Sequence, residues 1–456
     1  LNKEVKMNKI KTKRGFEKRP AKIKKFISLP KFIVSKLENS ILNNPPTFNF
    51  NNSLAFFFLH LIAIRRFIDP DYDECFGGFV SLDSKLLEHY SYSYVKYFNY
   101  FVKNGILEKR IYSKIRSKAN SFRFIYDSDI DCNEFVQLDI NNLQKLKNFE
   151  LIENHTGKEE NCPHLVKWFY KGLGIDSQAI LEVQKEPNFL KRQSYLLGIE
   201  KIKNKEYWFT RNHHSDDRLH TPLTNLSKKL RPYLSFKGEK LVNFDIKCSQ
   251  PYFLVVLVES SYTTMATLMF ENVKNTLYSS GFRKEYSQIK NWILNKDFYT
   301  EMSKVLFESR KIALTRNEWA GRGKNREKKI VTYENERELT KKLILRLFYI
   351  DTNSYLYKHD SDFKIFDEKF PSFSTFLKEL KKNNYKDLSK LMQNKEAHCI
   401  LDVVTKRLNQ LYPKMPLFTI HDSIMTTESW TKRINLGKFI QSMMLEVNGV
   451  KPQINS

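Results

Sequence analysis

Two short apolar runs that carry acids constrain most strongly what this chain can fold into. Residues 241–245 read Leu-Val-Asn-Phe-Asp and end on Asp245. In residues 417–425, Leu-Phe-Thr-Ile-His-Asp-Ser-Ile-Met, a polar His421-Asp422-Ser423 triplet interrupts two mainly apolar pieces. The apolar runs predict β-strands, and the polar triplet predicts the tip of a β-hairpin. If the two strands converge, they bring together two carboxylates that are far apart in the sequence.

Two convergent carboxylates suit magnesium. Mg²⁺ usually takes one or two carboxylates and leaves its other positions to water and substrate phosphates. Two such ions about 4 Å apart stabilise both the attacking and the leaving oxygen of a phosphoryl transfer. Each acid also has an ordinary explanation when taken alone. Asp245 fits a cap on the following helix, and the triplet fits a polar turn.

Between the two acids, four residues recur at intervals of four: Arg337, Lys341, Leu345 and Tyr349. In a helix they share one broad face, with two cations followed by an apolar side chain and an aromatic ring. This face suits a nucleotide whose triphosphate meets the cations and whose base and sugar meet the ring. A solvated face of an amphipathic helix has the same pattern. The basic stretch 310–329 just before it predicts a loop, either for contact with nucleic-acid phosphates or merely solvated.

The charge of the chain predicts an anionic partner. The 456 residues include 77 Lys and Arg against 51 Asp and Glu, a net charge of +26, and 41% are hydrophobic. A globular chain this basic most often binds nucleic acid. No apolar run approaches the roughly 20 residues that cross a bilayer, so no membrane partner is expected. Five cysteines without C-x-x-C spacing exclude a disulfide framework and a zinc knuckle.

The front half of the chain predicts a DNA-binding module. Residues 1–47 are expected to form a flexible basic arm, and 131–210 a helical connector. Between them, 48–130 contain three short helix patterns, an Asn104-Gly105 stop and a basic hairpin, which together predict a winged helix-turn-helix. A packing or protein-docking module is the alternative. We expect the third helix, 94–103, to bury Val95, Phe98, Phe101 and Val102. The cations expected on duplex DNA are Lys96 and Lys103 of this helix and Lys114, Arg116 and Lys118 of the wing.

The order of the motifs in residues 218–456 resembles that of family A DNA polymerases and of the related single-subunit RNA polymerases of phages and mitochondria. The resemblance rests on six pieces in order: the Arg218 to Leu226 segment, the Asp245 strand, Asp297-Phe-Tyr299-Thr300, the Arg337/Lys341/Tyr349 helix, Gln393, and His421-Asp422-Ser423. It implies an α+β fold with a right-hand polymerase palm and fingers in 211–456. Residues 131–210 would then serve as a thumb-like region behind the N-terminal winged helix.

The resemblance also implies roles for individual residues. Asp245 and Asp422 would hold two Mg²⁺ ions, and Lys341 would protonate the pyrophosphate leaving group. The nucleotide would meet Arg337, Lys341, Leu345, Tyr349 and Gln250. The primer and template would meet Arg218, Asn225, Gln393 and His421. The partners implied are a DNA template with its primer and nucleoside triphosphates.

Two positions depart from the family. Gln250 stands where the DNA enzymes have Glu and the RNA enzymes have Gly, and Ile350 replaces the family's Gly after Tyr349. We expect a DNA polymerase that extends a primer, in the replication of a mobile element. An RNA polymerase or primase, and a non-catalytic replication initiator, stay open as alternatives. The expected location is the cytoplasm with the nucleoid, with an organelle as the alternative.

Overall fold

The computed structural model describes residues 26–68, 78–110, 120–125, 134–140, 161–263, 273–308, 313–320 and 327–455. Within these residues the buried apolar side chains form two separate cores. The first is built from residues between Ile27 and Ile140, and the second from residues between Cys162 and Val450. Both cores mix helices with antiparallel strands, so the fold is α+β as expected.

The first core contains small antiparallel sheets and short helices. Its strands are β1 (Phe26–Pro30), β2 (Val80–Ser81), β3 (Leu107–Arg110), β4 (Ser121–Phe124) and β5 (Phe135–Asp139), and its helices are α1 (Lys31–Asn43), α2 (Asn52–Ile68), α3 (Ser84–Tyr90) and α4 (Tyr94–Lys103). β1 pairs with β5, and the other three strands form a sheet in the order β2-β4-β3. Helix α3 begins where the Asp83 carboxylate accepts a hydrogen bond from the N–H of Lys85.

The prediction of a flexible arm over residues 1–47 is wrong for residues 26–43. β1 pairs with β5 along its whole length, and α1 buries Ile33, Val34 and Leu37. Ile33 and Leu37 lie one helical turn apart, and this apolar stripe outweighs the basic composition of the segment. Residues 1–25 lie outside the described part of the chain.

Helix α4 has the predicted bounds but a different buried face. It buries Tyr97, Phe98, Tyr100 and Phe101, whereas Val95 is 48% exposed and Val102 is only partly buried. The rings prevail because they bury more apolar area and pack edge to face, as Tyr97 does with Phe58 at 5.5 Å between centroids. Lys96 and Lys103 lie on the exposed side. The wing cations Lys114, Arg116 and Lys118 lie outside the described residues.

The second core is larger and mostly helical. Its strands are β6 (Leu173–Ile175), β7 (Thr210–Arg211), β8 (Leu219–His220), β9 (Leu234–Phe236), β10 (Glu239–Ile246), β11 (Thr315–Ala320), β12 (Glu327–Thr332), β13 (Phe418–Ile420), β14 (Ser423–Thr427) and β15 (Ile454–Asn455). Its first helices are α5 (Pro163–Gly172), α6 (Ala179–Gln184), α7 (Phe189–Lys203), α8 (Pro222–Asn225), α9 (Ser249–Thr263), α10 (Lys274–Tyr278), α11 (Ser280–Asn295) and α12 (Phe298–Phe307). The remaining helices are α13 (Glu336–Tyr349), α14 (Tyr355–His359), α15 (Ser361–Lys369), α16 (Pro371–Leu380), α17 (Lys386–Ala397), α18 (Thr405–Leu411), α19 (Glu428–Arg433) and α20 (Leu436–Asn448). A π-helical segment, His398–Val404, joins α17 to α18.

The central sheet of the second core has the strand order β13-β14-β10-β9-β6, and β15 also pairs with β10. Every residue of β14 is buried, so both faces of this strand are covered by the rest of the core. Helix α9 follows β10 after a tight turn in which Cys248 has a φ of 42°. The sheet holds both acids singled out in the sequence, and this helix carries Gln250 in its first turn.

Residues 131–210, predicted as a helical connector, contain the helices α5, α6 and α7 but also contribute strands to both cores. β5 belongs to the first core through its pairing with β1. β6 joins the central sheet by pairing with β9, and a three-residue strand is too short to give a periodic signal in the sequence. Helix α5 is joined to α18 by a side-chain contact, since Nε2 of His164 lies 2.9 Å from the Thr405 hydroxyl.

The stretch 310–329 was predicted as a loop, but most of its described part is a hairpin. β11 and β12 pair from Thr315↔Thr332 to Ala320↔Glu327. The hairpin is tied to the core because Arg316 pairs with Asp362, and the Tyr333 hydroxyl donates to Glu318 at 2.6 Å. Residues 321–326, which include Arg322, Lys324 and Arg326, lie outside the described residues.

None of the described helices is both long enough and apolar enough to span a membrane.

Candidate active site

The pairing of β10 with β14 brings the two predicted acids together. Asp245 lies opposite Ser423 in this ladder, and Asp422 directly precedes Ser423. Asp422 occupies a two-residue turn with His421, since Ile420 pairs with Ser423. His421 has a φ of 54°, a conformation that this kind of tight turn demands and that residues other than glycine seldom adopt. The strained turn places Asp422 at the end of strand β14, next to Asp245 on the neighbouring strand β10.

The two carboxylates perturb one another. Burial, and then repulsion from Asp422, raises the pKa of Asp245 to about 6. Burial also raises the pKa of Asp422 above its ordinary value. Two acids whose charged forms disfavour each other at close range are typical of functional sites, because a cation between them relieves the repulsion.

The donor set fits magnesium by its chemistry. Two carboxylates from two paired strands match the one or two that Mg²⁺ takes from a protein when phosphates and water supply the remaining ligands. Among the described residues, no group of three or more His, Cys, Asp and Glu side chains forms a closed metal cage.

Helix α13 presents the predicted cations on its solvent side. The helix begins where the Asn335 side chain accepts a hydrogen bond from the N–H of Glu338 at 2.9 Å. It buries a stripe that includes Leu339, Leu343 and Leu347. The opposite face carries the four residues predicted at intervals of four: Arg337 and Lys341 are exposed, Leu345 is partly buried and Tyr349 is 39% exposed. Lys341 is close enough to lower the pKa of Asp245.

Arg337 is already engaged in the free protein. Its guanidinium pairs with the Asp297 carboxylate, with Nη2 3.0 Å from Oδ2 and Nε 3.1 Å from each oxygen. Asp297 also caps α12 by accepting from the N–H of Thr300. Both side chains of the ion pair are about half exposed, so an incoming anion can compete for the arginine.

Two further cations lie near the acids, and the sequence analysis did not single them out. Lys228 and Arg231 both lower the pKa of Asp245. Arg231 is largely buried, which lowers its own pKa, while Asp245 and Asp422 oppose that shift. The Arg231 Nε donates to the carbonyl of Leu226 at 3.2 Å. The acids are thus flanked by cations from two elements, α13 and the segment after α8.

A third carboxylate, Glu396, lies beside this pair and was also missed. Glu396 is completely buried. Burial, together with repulsion from Asp422, raises the pKa of Glu396 to about 7. Arg218 opposes the shift by an ion pair in which Nη2 lies 2.6 Å from Oε1. Arg218 therefore holds Glu396 in the free protein, with only 16% of its own side chain exposed. The one available signal in the sequence is that Glu396 lies one turn after Gln393 and starts an apolar helical run.

A chain of hydrogen bonds runs from Glu396 to the end of α13. The Gln250 amide donates from Nε2 to Glu396 at 2.8 Å, and its Oε1 accepts from the Tyr349 hydroxyl at 3.2 Å. The Gln393 amide donates to the same hydroxyl at 3.1 Å. Three predicted residues, Gln250, Tyr349 and Gln393, are thus in direct contact.

The remaining predicted residues lie at the margin of this network. His421 stacks edge to face with His220 at 5.8 Å, its Nδ1 is buried without a hydrogen-bond partner in the described residues, and burial lowers its pKa to about 4. Asn225 ends α8 and is partly buried. No described hydrogen bond joins the Asn225 side chain to the carboxylates. Lys96 and Lys103 lie on the exposed side of α4, which packs in the first core.

Comparisons with known proteins found one type of likeness. No family model and no curated protein matches the chain. Among solved structures, the chain is similar to the POL domain of Pol1 from M. smegmatis in complex with DNA primer-template and dNTP, with 9% sequence identity and a TM-score of 0.37. The match covers 61% of this chain and 55% of that one, so the chain spans about half the length of this neighbour.

Proposed function

We propose that this chain is a template-directed nucleotidyltransferase that extends a primer with nucleoside triphosphates, of the family A DNA polymerase type. The observation that carries the proposal is the pairing of β10 with β14, which brings Asp245 next to Asp422 where these two strands end. The raised pKa of both acids supports a cation site there. The cationic face of α13 supports a triphosphate next to it.

In this proposal Asp245 and Asp422 would hold two Mg²⁺ ions, which would supply charge neutralisation for phosphoryl transfer. The chain itself supplies position and charge. Arg337 leaves Asp297 to bind the outer phosphates, and Lys341 approaches the phosphate nearest the acids and donates a proton to the departing pyrophosphate. Tyr349 packs against the base and sugar. Such positioning and electrostatic stabilisation are most of what phosphoryl transfer requires from a protein.

Primer extension tests the proposal directly. The purified chain is given a primed DNA template, Mg²⁺ and either dNTPs or rNTPs, and extension of the primer with dNTPs is the expected result. Asp245→Asn and Asp422→Asn are each expected to abolish extension, with Glu186→Gln as a control at a buried acid that pairs with Lys229. Extension only with rNTPs would favour the RNA polymerase alternative. Undiminished extension by either Asn variant would refute the metal assignment.

We further propose that the first core contains a winged helix-turn-helix that binds duplex DNA. The order α2, β2, α3, α4, β3, β4 and the sheet order β2-β4-β3 support this, since a third helix followed by a hairpin is the arrangement of that motif. The exposed side of α4 offers Lys96 and Lys103.

Salt-dependent binding of the full chain to duplex DNA tests this second proposal. Changing both lysines to Gln is expected to reduce the slope of log K against log salt by about 2 if each contacts a phosphate. The matched control is the double variant Lys358→Gln and Lys364→Gln in the second core. An unchanged slope in the Lys96 and Lys103 variant would remove the DNA-binding role of α4.

A further inference from the structure

The buried carboxylate of Glu396 is held by donors from three residues. Oε1 accepts a hydrogen bond from Arg218 Nε at 2.8 Å and forms an ion pair with Nη2 of the same guanidinium at 2.6 Å. Oε2 accepts from the Ser249 hydroxyl and from the Gln250 amide, both at 2.8 Å. Three hydrogen-bond donors and the charge of Arg218 favour the ionised carboxylate, which can only accept.

This carboxylate fixes the direction of the hydrogen bonds beyond it. Because a carboxylate only accepts, Gln250 must turn its NH₂ group toward Glu396 and its oxygen toward Tyr349. The Tyr349 hydroxyl must then donate to Gln250, which leaves its lone pairs for the Gln393 amide. One charge on α17 thus determines where the ring at the end of α13 is held.

We propose that Glu396 is a positioning residue for the nucleotide, which acts by fixing the Gln250 amide and through it the Tyr349 ring. The effect on the nucleotide rests on the function proposed above, whereas the coupling between the side chains does not. Glu396 touches neither substrate nor reacting atoms in this arrangement. Its removal is therefore expected to weaken nucleotide binding more than the chemical step.

The primary test is Glu396→Gln. An amide at this position lets Gln250 turn over, so that its oxygen no longer accepts from Tyr349. We expect the KM for the nucleotide to rise about tenfold, the cost of roughly one or two hydrogen bonds, while kcat changes less than about threefold. Glu186→Gln serves as the matched control, because Glu186 is also buried, at 7% exposure, and also accepts from a cation, Lys229, at 3.0 Å.

A rescue variant separates positioning from a general structural role. In the double variant Glu396→Gln with Gln250→Glu, the amide at residue 396 donates to the carboxylate at residue 250. That carboxylate can only accept, so it again accepts a hydrogen bond from the Tyr349 hydroxyl. Its KM is expected within about threefold of the wild type. In a Tyr349→Phe background, which lacks the hydroxyl, Glu396→Gln is expected to add less than about twofold to KM, since coupled residues are not additive.

The outcomes decide the proposal as follows. Rescue by Gln250→Glu and loss of the effect in the Tyr349→Phe background support it. A double variant as impaired as Glu396→Gln, or additive effects with Tyr349→Phe, overturns it. If the wild type incorporates no nucleotide, the proposed function fails, and the same variants are compared by their urea unfolding midpoints. A midpoint lowered by Glu396→Gln and restored by Gln250→Glu then supports the directed chain, and no restoration overturns it.

Discussion

Replacing Lys381 by methionine tests how the C-terminal end of helix α13 is held. The residue is 2% exposed, and its ammonium group donates to the carbonyl of Leu347 at 2.5 Å and to that of Ile350 at 2.9 Å. These carbonyls lie at the C-terminal end of α13, where helices lack partners and favour a cation. Burial lowers the pKa of Lys381 from 10.5 to about 7.

The size and the sign of the effect of pH on stability follow from the pKa of Lys381. A difference of about 3.5 pKa units at 1.36 kcal/mol each makes the buried charge cost about 5 kcal/mol. Above pH 10.5 the amine is neutral in both states and this cost is absent. As the pH falls toward 7, the unfolded chain takes up a proton that the folded chain refuses, so stability is lost by about 1.4 kcal/mol per pH unit.

Urea unfolding of the wild type and Lys381→Met at pH 7 and 9.5 measures this dependence. Methionine loses two hydrogen bonds but carries no charge, so the wild type should gain roughly 3 kcal/mol relative to the variant between these two pH values. Lys382→Met, at the exposed neighbouring position, is expected to show no such trend. A difference between wild type and Lys381→Met that stays constant within about 0.5 kcal/mol over this range would refute the burial of a titrating lysine at the helix end.

Three further predictions concern the acids and arginines of the site. Asp245→Asn is expected to stabilise the protein at pH 7 without Mg²⁺ by about 1–3 kcal/mol, because the raised pKa of Asp245 makes the wild type lose stability as the pH rises from 3.8 to about 6; urea unfolding at pH 4 and 7 should show most of the gain at pH 7. Arg218→Ala leaves Glu396 buried and unpaired, so it should lower the free energy of unfolding by about 3–5 kcal/mol, and adding Glu396→Met should recover most of the loss. Arg337→Gln breaks a half-exposed pair with Asp297, so it should change unfolding by less than about 1 kcal/mol while raising the nucleotide KM; an unchanged KM would argue against a phosphate contact.

The features that the sequence predicted well are those with a local pattern. The apolar run 241–245 became part of β10, the polar triplet at His421 became a hairpin tip, and the four-residue spacing from Arg337 became the outer face of α13. Each depends on periodicity within one element. The pairing of β10 with β14 has no local signal of its own, and the convergence of the two acids was inferred from the chemistry of magnesium sites.

The features that the sequence did not predict depend on contacts between distant elements. Glu396 lies in a helix with no unusual pattern, and only packing of α17 against the start of α9 places it on Gln250. Lys228 and Arg231 looked like ordinary surface cations of a basic chain. The ordered segment from Phe26 was hidden by its composition, because a lysine-rich stretch can still carry one apolar stripe.

The π-helical segment His398–Val404 has a consequence for changes in chain length. A π turn is equivalent to one residue inserted into an α-helix. Asp402, inside it, binds Arg211 with Nη2 2.6 Å from Oδ2, while Glu396, just before it, binds Arg218. Deleting one residue from the segment would let α17 and α18 continue as one regular helix, yet it would rotate one carboxylate by about 100° relative to the other. A deletion that repairs the helix would therefore separate an arginine from its acid, so the two ion pairs together require this irregular turn.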